Sequence, residues 1–156
     1  MGKSLIDIAK EVIQTESDSV LLLKDRIDQN FIDVCHTLKS CMGKVVLIGM
    51  GKSGHIAKKI SSTLASTGTP AFYLHPGEAG HGDLGMVSHD DVVIMISYSG
   101  ESDEIIALLP GIKRMNVPII SMTGNANSSI ASSSDFHLNV SVDKEACPHN
   151  LAPTSS

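Results

Sequence analysis

The sequence predicts a doubly wound α/β domain of three layers, a five-stranded parallel sheet flanked by helices. Short apolar runs recur at 44–48, Ala71–Leu74, Val92–Ile96, 119–122 and 137–142, and helical stretches at 53–66, 101–115 and 128–133 lie between them. Continuous apolar runs suit strands buried on both faces, as in parallel sheets. Strands alternating with helices every ~25 residues imply right-handed βαβ crossovers. At 156 residues, with 42% hydrophobic and 19% charged content, the chain reads as one packed domain that needs no disulfide or metal staple.

Ahead of the sheet, residues 4–40 read as two helices. Leu5, Ile8, Val12 and Ile13 form one stripe; Val20, Leu23, Ile27, Phe31, Val34 and Leu38 recur at spacings of three and four. The joint falls either at the polar break 16–19 or near Asp28–Asn30. The first strand (44–48) follows Met42-Gly43, and Ser132-Ser133-Ser134 marks the end of the last helix.

Composition narrows the partners. Twelve basic against 17 acidic residues give a net charge of −5, which argues against nucleic acid or a bilayer. An aromatic content of 3% without Trp supplies too few platforms for stacking bases. No run approaches the ~18 apolar residues of a membrane span, and the N-terminus lacks a signal-peptide core. Ile6 occupies the position where N-myristoylation wants a hydroxyl. Cys35, Cys41 and Cys147 form no CxxC pair, and their odd number suits reduced thiols in a cytoplasmic protein.

In open α/β sheets, ligands bind beyond the carboxyl ends of the strands, here loops 49–55, 75–86, 97–104, 123–129 and 143–156. Gly49-Met50-Gly51-Lys52-Ser53-Gly54 fits G-x-G-x-x-G after a strand and before a helix. The acid that should close the second strand is missing, because that strand ends Tyr73-Leu74-His75-Pro76. A nicotinamide or flavin cofactor is therefore not expected. A Walker A loop would need glycine at 46, which is Val46. A turn through Gly51 and Ser53 remains, whose N–H groups and Lys52 suit a phosphate; the alternative is a tight turn with a solvated lysine.

The loop from Ser97 through Tyr98, Ser99, Gly100, Glu101, Ser102 and Asp103 to Glu104 places three hydroxyls around a glycine at a helix start. Such a loop can surround a phosphate monoester. The competing reading is capping, with Ser99 or Ser102 as N-cap and Glu101 or Glu104 favouring the first turn.

The S-x-S-G-E-S loop resembles the phosphosugar signature of the sugar isomerase (SIS) domain family. The segments GMGKSGHIAKKI, LASTGTPAFYLHPGEAGHGDLGMV, SGESDEI, KEACP and LAPTSS resemble its arabinose-5-phosphate isomerase branch almost end to end. The resemblance implies an aldose–ketose isomerase that interconverts D-ribulose 5-phosphate and D-arabinose 5-phosphate, supplying Kdo for lipopolysaccharide. The chemistry passes through a cis-enediol, which needs a base between two carbons, a proton donor between two oxygens and a nearby charge, without a redox cofactor. By resemblance Glu145 is the base, Lys52 a charge for the enediolate or phosphate, His81 a proton shuttle and Glu104 a further acid. Ser97, Ser99, Ser102, Thr154 and Ser155 join Gly51 and Ser53 around the phosphate.

No metal is expected, since His75, Glu78, His81 and Asp83 lack a strong ligand spacing. Tyr98 stands where many members carry asparagine, and His149-Asn150 replaces a Leu-Gly-like pair. The helix-start signal Pro153-Thr154-Ser155 is followed by no helix. Family members continue with that helix, a further histidine and usually a CBS pair, so the sequence is expected to be an SIS domain (1–156) cut at its closing helix. The family also implies a homodimer or homotetramer with shared active sites. A sugar-phosphate sensor, or an isomerase of another phosphosugar, stays open beside this reading.

Overall fold

The computed structural model describes residues 2–156. Its sheet consists of β1 (Val45–Gly49), β2 (Ala71–Leu74), β3 (Val92–Ile96), β4 (Ile119–Thr123) and β5 (Phe136–Asn139). All neighbours are parallel, in the order β2-β1-β3-β4-β5. The last strand is shorter than expected. Asn139 Oδ1 accepts the Ser141 N–H, a local turn that ends the extended run.

Alternation along the strands builds two cores. Val45, Leu47, Val92, Ile94 and Ile96 meet Val34 and Leu38 of α2 (Gln29–Lys39) and Ala57, Ile60 and Leu64 of α3 (Gly51–Ser66). On the other face Val46, Ile48, Val93 and Met95 pack beneath α4 (Pro76–Gly80), α5 (Asp103–Ile106), α6 (Leu109–Arg114) and α7 (Ser129–Ser132). Every residue of β1 and β3 is buried, as continuous apolar runs require.

Three local expectations change. The helix expected over 101–115 is two pieces, α5 and α6, because Pro110 has no N–H to return to Ile106. The loop 75–86 contains α4, opened by Pro76 at its first position and by His75, whose Nδ1 accepts the Gly77 N–H at 3.1 Å. A 3-10 turn, Asp83–Met86, follows it.

The N-terminal joint lies near Asp28. The first helix, α1 (Leu5–Leu22), runs straight through 16–19 and ends in a 3-10 turn. Ile27 is extended, and Asp28 caps α2 by accepting the Phe31 N–H. The apolar stripe therefore divides. Val34 enters the core, whereas Ile6 (67%), Ile13 (64%), Val20 (65%) and Ile27 (56%) are exposed. Ser19 on the inward side of α1 is buried instead, its Oγ donating to Thr15 O.

Asp91, with a fully buried side chain, pins the base of the sheet. It accepts the N–H groups of Lys44 (2.7 Å) and Ser88 (2.8 Å), with Lys44 Nζ 3.7 Å away. Burial pushes its pKa up, but the N–H groups of Ser88 and Lys44 outweigh burial and hold it below the ordinary value. Asp91→Asn is expected to cost about 1.5–3 kcal/mol near neutral pH, since an amide cannot accept both bonds as a charge does. A depressed folded pKa means this stabilisation is present above the unfolded pKa and is lost as pH falls through the folded one. Urea unfolding of both proteins should show a constant gap around pH 7 that closes below about pH 4.

Candidate active site

The strand order reverses between β1 and β3: α3 leaves β1 over one face and α5 leaves β3 over the other. Such a reversal opens a crevice at the carboxyl edge of the sheet.

At the end of β1 each glycine of the turn has a steric reason. A Cβ on Gly49 would stand 2.8 Å from Ser53 O, and one on Gly54 2.8 Å from Gly49 O and from Tyr73 Oη. Strand and helix could not approach so closely with larger residues. Gly51 has φ +56°, the left-handed region. No side chain caps α3, whose N-cap residue is Met50. Lys52, exposed in the first turn of α3, puts a cation at the positive end of a helix, where dipole and charge repel. An anion there would satisfy both.

At the end of β3 the serine loop has a comparable form. Ser97 is buried, accepts the Gly100 N–H at 3.2 Å, and lies 2.8 Å from the hydroxyl of Ser102. Ser102 occupies the N-cap of α5, yet makes no side-chain cap because its hydroxyl turns to Ser97. Ser99 Oγ accepts the Glu101 N–H instead of capping α5. Four other helices, α1, α2, α4 and α7, are capped by Ser4, Asp28, His75 and Ser128. The two helices that open at the strand reversal, and α6 that follows α5, are left without such caps.

The loop is tied to its surroundings by residues that sequence reasoning passed over. Gly100 has φ +68°, and a Cβ there would fall 2.0 Å from Ser128 Oγ. Its carbonyl accepts the Ile130 N–H, and Glu101 Oε1 accepts the Ser129 N–H at 2.8 Å. The donors of Ser129 hold the Glu101 carboxyl below its ordinary pKa. Glu101 thus serves the start of α7 rather than the first turn of α5.

Beyond β5, Glu145 is buried, and Thr154 and Ser155 close on it. Its Oε2 accepts the N–H of Thr154 (2.7 Å), the hydroxyl of Thr154 (2.9 Å) and the N–H of Ser155 (2.7 Å). Burial raises its pKa, but the donors of Ser156, Ser155 and Thr154 outweigh it and bring the carboxyl down to about 2. Held in this way Glu145 is ionised throughout the neutral range and is a weak base. Its own N–H is received by Asn150 Oδ1 at 3.1 Å. Asn150 has φ +53°, a conformation that glycine and asparagine adopt most readily. The N–H groups of Ala152, Leu151, His149 and Asn150 also lower the Cys147 thiol from its ordinary pKa.

The structure thus joins Ser97 to Ser102, and Glu145 to Thr154 and Ser155. Lys52, Glu104 in the first turn of α5, and His81 at the end of α4 are exposed at the same edge of the sheet without hydrogen bonds to those groups among the described residues. Among the described residues, no three His, Cys, Asp or Glu side chains gather to hold a metal, and no helix is long and apolar enough to cross a membrane.

Residues 38–156 match the SIS domain family model. The chain is 58% identical over 147 residues to the arabinose 5-phosphate isomerase KdsD of Escherichia coli, covering 94% of this chain and 45% of that protein. It is 53% identical over 151 residues to KdsD of Pseudomonas aeruginosa, covering 97% and 46%. The chain therefore spans about half the length of these relatives. Among solved structures, E. coli CFT073 c3406 in complex with arabinose 5-phosphate superimposes with a TM-score of 0.93 at 47% identity, over 100% of this chain and 84% of that one. The sugar isomerase domain of the RpiR transcription factor from Sphaerobacter thermophilus, at 19% identity over 94% and 82% of the two chains, shares the fold alone, with a TM-score of 0.80. Matched over residues 38–156 and similar from end to end to c3406, the chain belongs to the SIS domain family.

Proposed function

We propose that the crevice between β1 and β3 binds a pentose 5-phosphate and interconverts D-ribulose 5-phosphate and D-arabinose 5-phosphate in the cytoplasm, supplying Kdo for lipopolysaccharide. The observation that carries this reading is the pair of helix starts, α3 and α5, left without side-chain caps on either side of the strand reversal. Gly51, Ser53, Ser97, Ser99 and Ser102 surround the phosphate, with Lys52 as the countercharge. The choice of substrate is supported by relatives named arabinose 5-phosphate isomerase and by a structural neighbour solved with arabinose 5-phosphate.

In the reaction, Glu145 carries a proton between C1 and C2, His81 moves one between the oxygens, and Lys52 stabilises the enediolate. Glu104 is a further acid at the mouth of the crevice. The donors that now hold Glu145 belong to Thr154 and Ser155, two groups assigned to the phosphate. The Ser155 hydroxyl is buried and lacks a hydrogen-bond partner among the described residues. Transfer of these donors to the substrate phosphate frees the carboxylate and restores its basicity. Base and phosphate thus compete for one set of donors, and substrate arrival arms the base.

Mixed with D-ribulose 5-phosphate, the protein should form D-arabinose 5-phosphate, and Glu145→Gln should lower kcat by at least about a hundredfold. Absence of product, or full activity in Glu145→Gln, contradicts the reading. Phosphosugar binding without turnover would favour a sensor.

A homodimer or homotetramer with shared sites is part of the same proposal. Ile6, Ile13 and Val20, seven residues apart on α1, are all more than half exposed. Burying each is worth about 1.5–3 kcal/mol, and heptad spacing is the seam along which helices pair. Light scattering should give a dimer or tetramer, and Ile13→Glu combined with Val20→Glu should shift it to monomer without loss of helix content. A monomeric wild-type protein contradicts this part.

A further inference from the structure

Tyr98 lies inside the serine loop. Three contacts fix it. Its hydroxyl accepts the Val142 N–H at 3.2 Å, across 44 residues of sequence. Its carbonyl accepts the Gly124 N–H at 2.8 Å. Its ring lies against Gly124, where a Cβ would come within 2.9 Å of Tyr98 Cε2 and 3.0 Å of Cζ.

Val142 precedes Glu145 by three residues and follows the last residue of β5, Asn139, by three. The strand ladder no longer holds the chain at that point. The remaining ties of this segment run mostly within it: Glu145 to Thr154, Ser155 and Asn150, and Ala146 N–H to Thr154 Oγ1. Past Val140, whose N–H still donates to Thr123 O, two bonds among the described residues reach other elements: Val142 N–H to Tyr98 Oη, and an Arg26 guanidinium bond to Ser141 O. Of these, only Tyr98 belongs to the loop that would hold the phosphate.

We propose that Tyr98 is a positioning residue that fixes the Glu145 segment against the serine loop, setting the span between the phosphate and the base. This rests on the isomerase reading for its catalytic consequence, but not for the mechanical tie. Loss of the hydroxyl frees the Val142 amide while leaving the phosphate donors of Ser97, Ser99 and Ser102 in place. Affinity for the phosphate end is therefore kept, and the fraction of time that the carboxylate spends in register with the carbons falls. Because Gly124 leaves the room that the ring needs, Gly124→Ala reaches the same end by displacing Tyr98 with its hydroxyl intact.

The test is amide hydrogen exchange over 140–146 together with steady-state kinetics on D-arabinose 5-phosphate, for wild type, Tyr98→Phe and Gly124→Ala. The expected result is exchange about fivefold faster at 142–146 in both variants, as loss of one hydrogen bond implies. It is accompanied by a kcat lower by a similar factor, a KM within about twofold of wild type, and unchanged protection of β3. Unchanged exchange in Tyr98→Phe, or faster exchange with unchanged kcat, overturns the proposal. A wild-type protein without turnover would remove the isomerase reading instead; exchange at 142–146 would still decide whether the tie exists.

Discussion

The site depends on one topological constraint, the reversal of strand order between β1 and β3. In a parallel sheet wound by right-handed crossovers, helices change face only where the strand order turns back. Here α3 leaves β1 toward one core and α5 leaves β3 toward the other, so two helix starts meet at one edge. The interior of the sheet secures this arrangement. Nine large or β-branched apolar side chains of β1 and β3, together with Gly49, are buried, and Asp91 ties the opposite end of the strands to the turn at 88–91. The loops at the carboxyl edge can then adopt conformations that a less rigid frame would not hold, including left-handed Gly51 and Gly100.

Several residues at that edge act against their local preferences, and together they describe a site suited to an anion. Lys52 stands at the positive end of α3. Ser102 sits in a capping position and turns its hydroxyl away to Ser97. Thr154 and Ser155 offer their donors to a buried carboxylate. The placement of Lys52 and the uncapped start of α5 carry a local cost that binding a phosphate would relieve, whereas the donors on Glu145 stabilise its carboxylate; consistency between local and global preference is otherwise the rule in folded proteins. The Glu145 cluster adds a second consequence. Donors strong enough to bring its pKa to about 2 also suppress its basicity.

Much of this is legible in the sequence because it rests on short-range rules. The continuous apolar runs locate all five strands, and the spacing of the glycine turn places it at the junction of β1 and α3. What escapes depends on contacts between distant segments. The apolar residues of α1 and α2 satisfy helical periodicity whether they face a core or solvent, so spacing alone cannot separate buried Val34 from exposed Val20. Pro110 is the available signal for the division of α5 from α6, and Pro76 for α4. Glu101 reads locally as a residue favouring the first turn of its own helix, but its partner, Ser129, is 28 positions away. The bond from Val142 to Tyr98 spans 44 positions and has no sequence signature.

The central claim is that a sugar phosphate binds at the reversal of strand order. The most direct measurement is a backbone amide chemical-shift titration with D-arabinose 5-phosphate. The account predicts saturable shifts at 49–55, 97–104 and 153–155, with the groove between α2 and β5, a space of about 460 Å³ lined by Ile27, Phe31, Met122 and His137, unaffected. Shifts confined to that groove, or none at Gly51 and Ser97–Ser102, would contradict it.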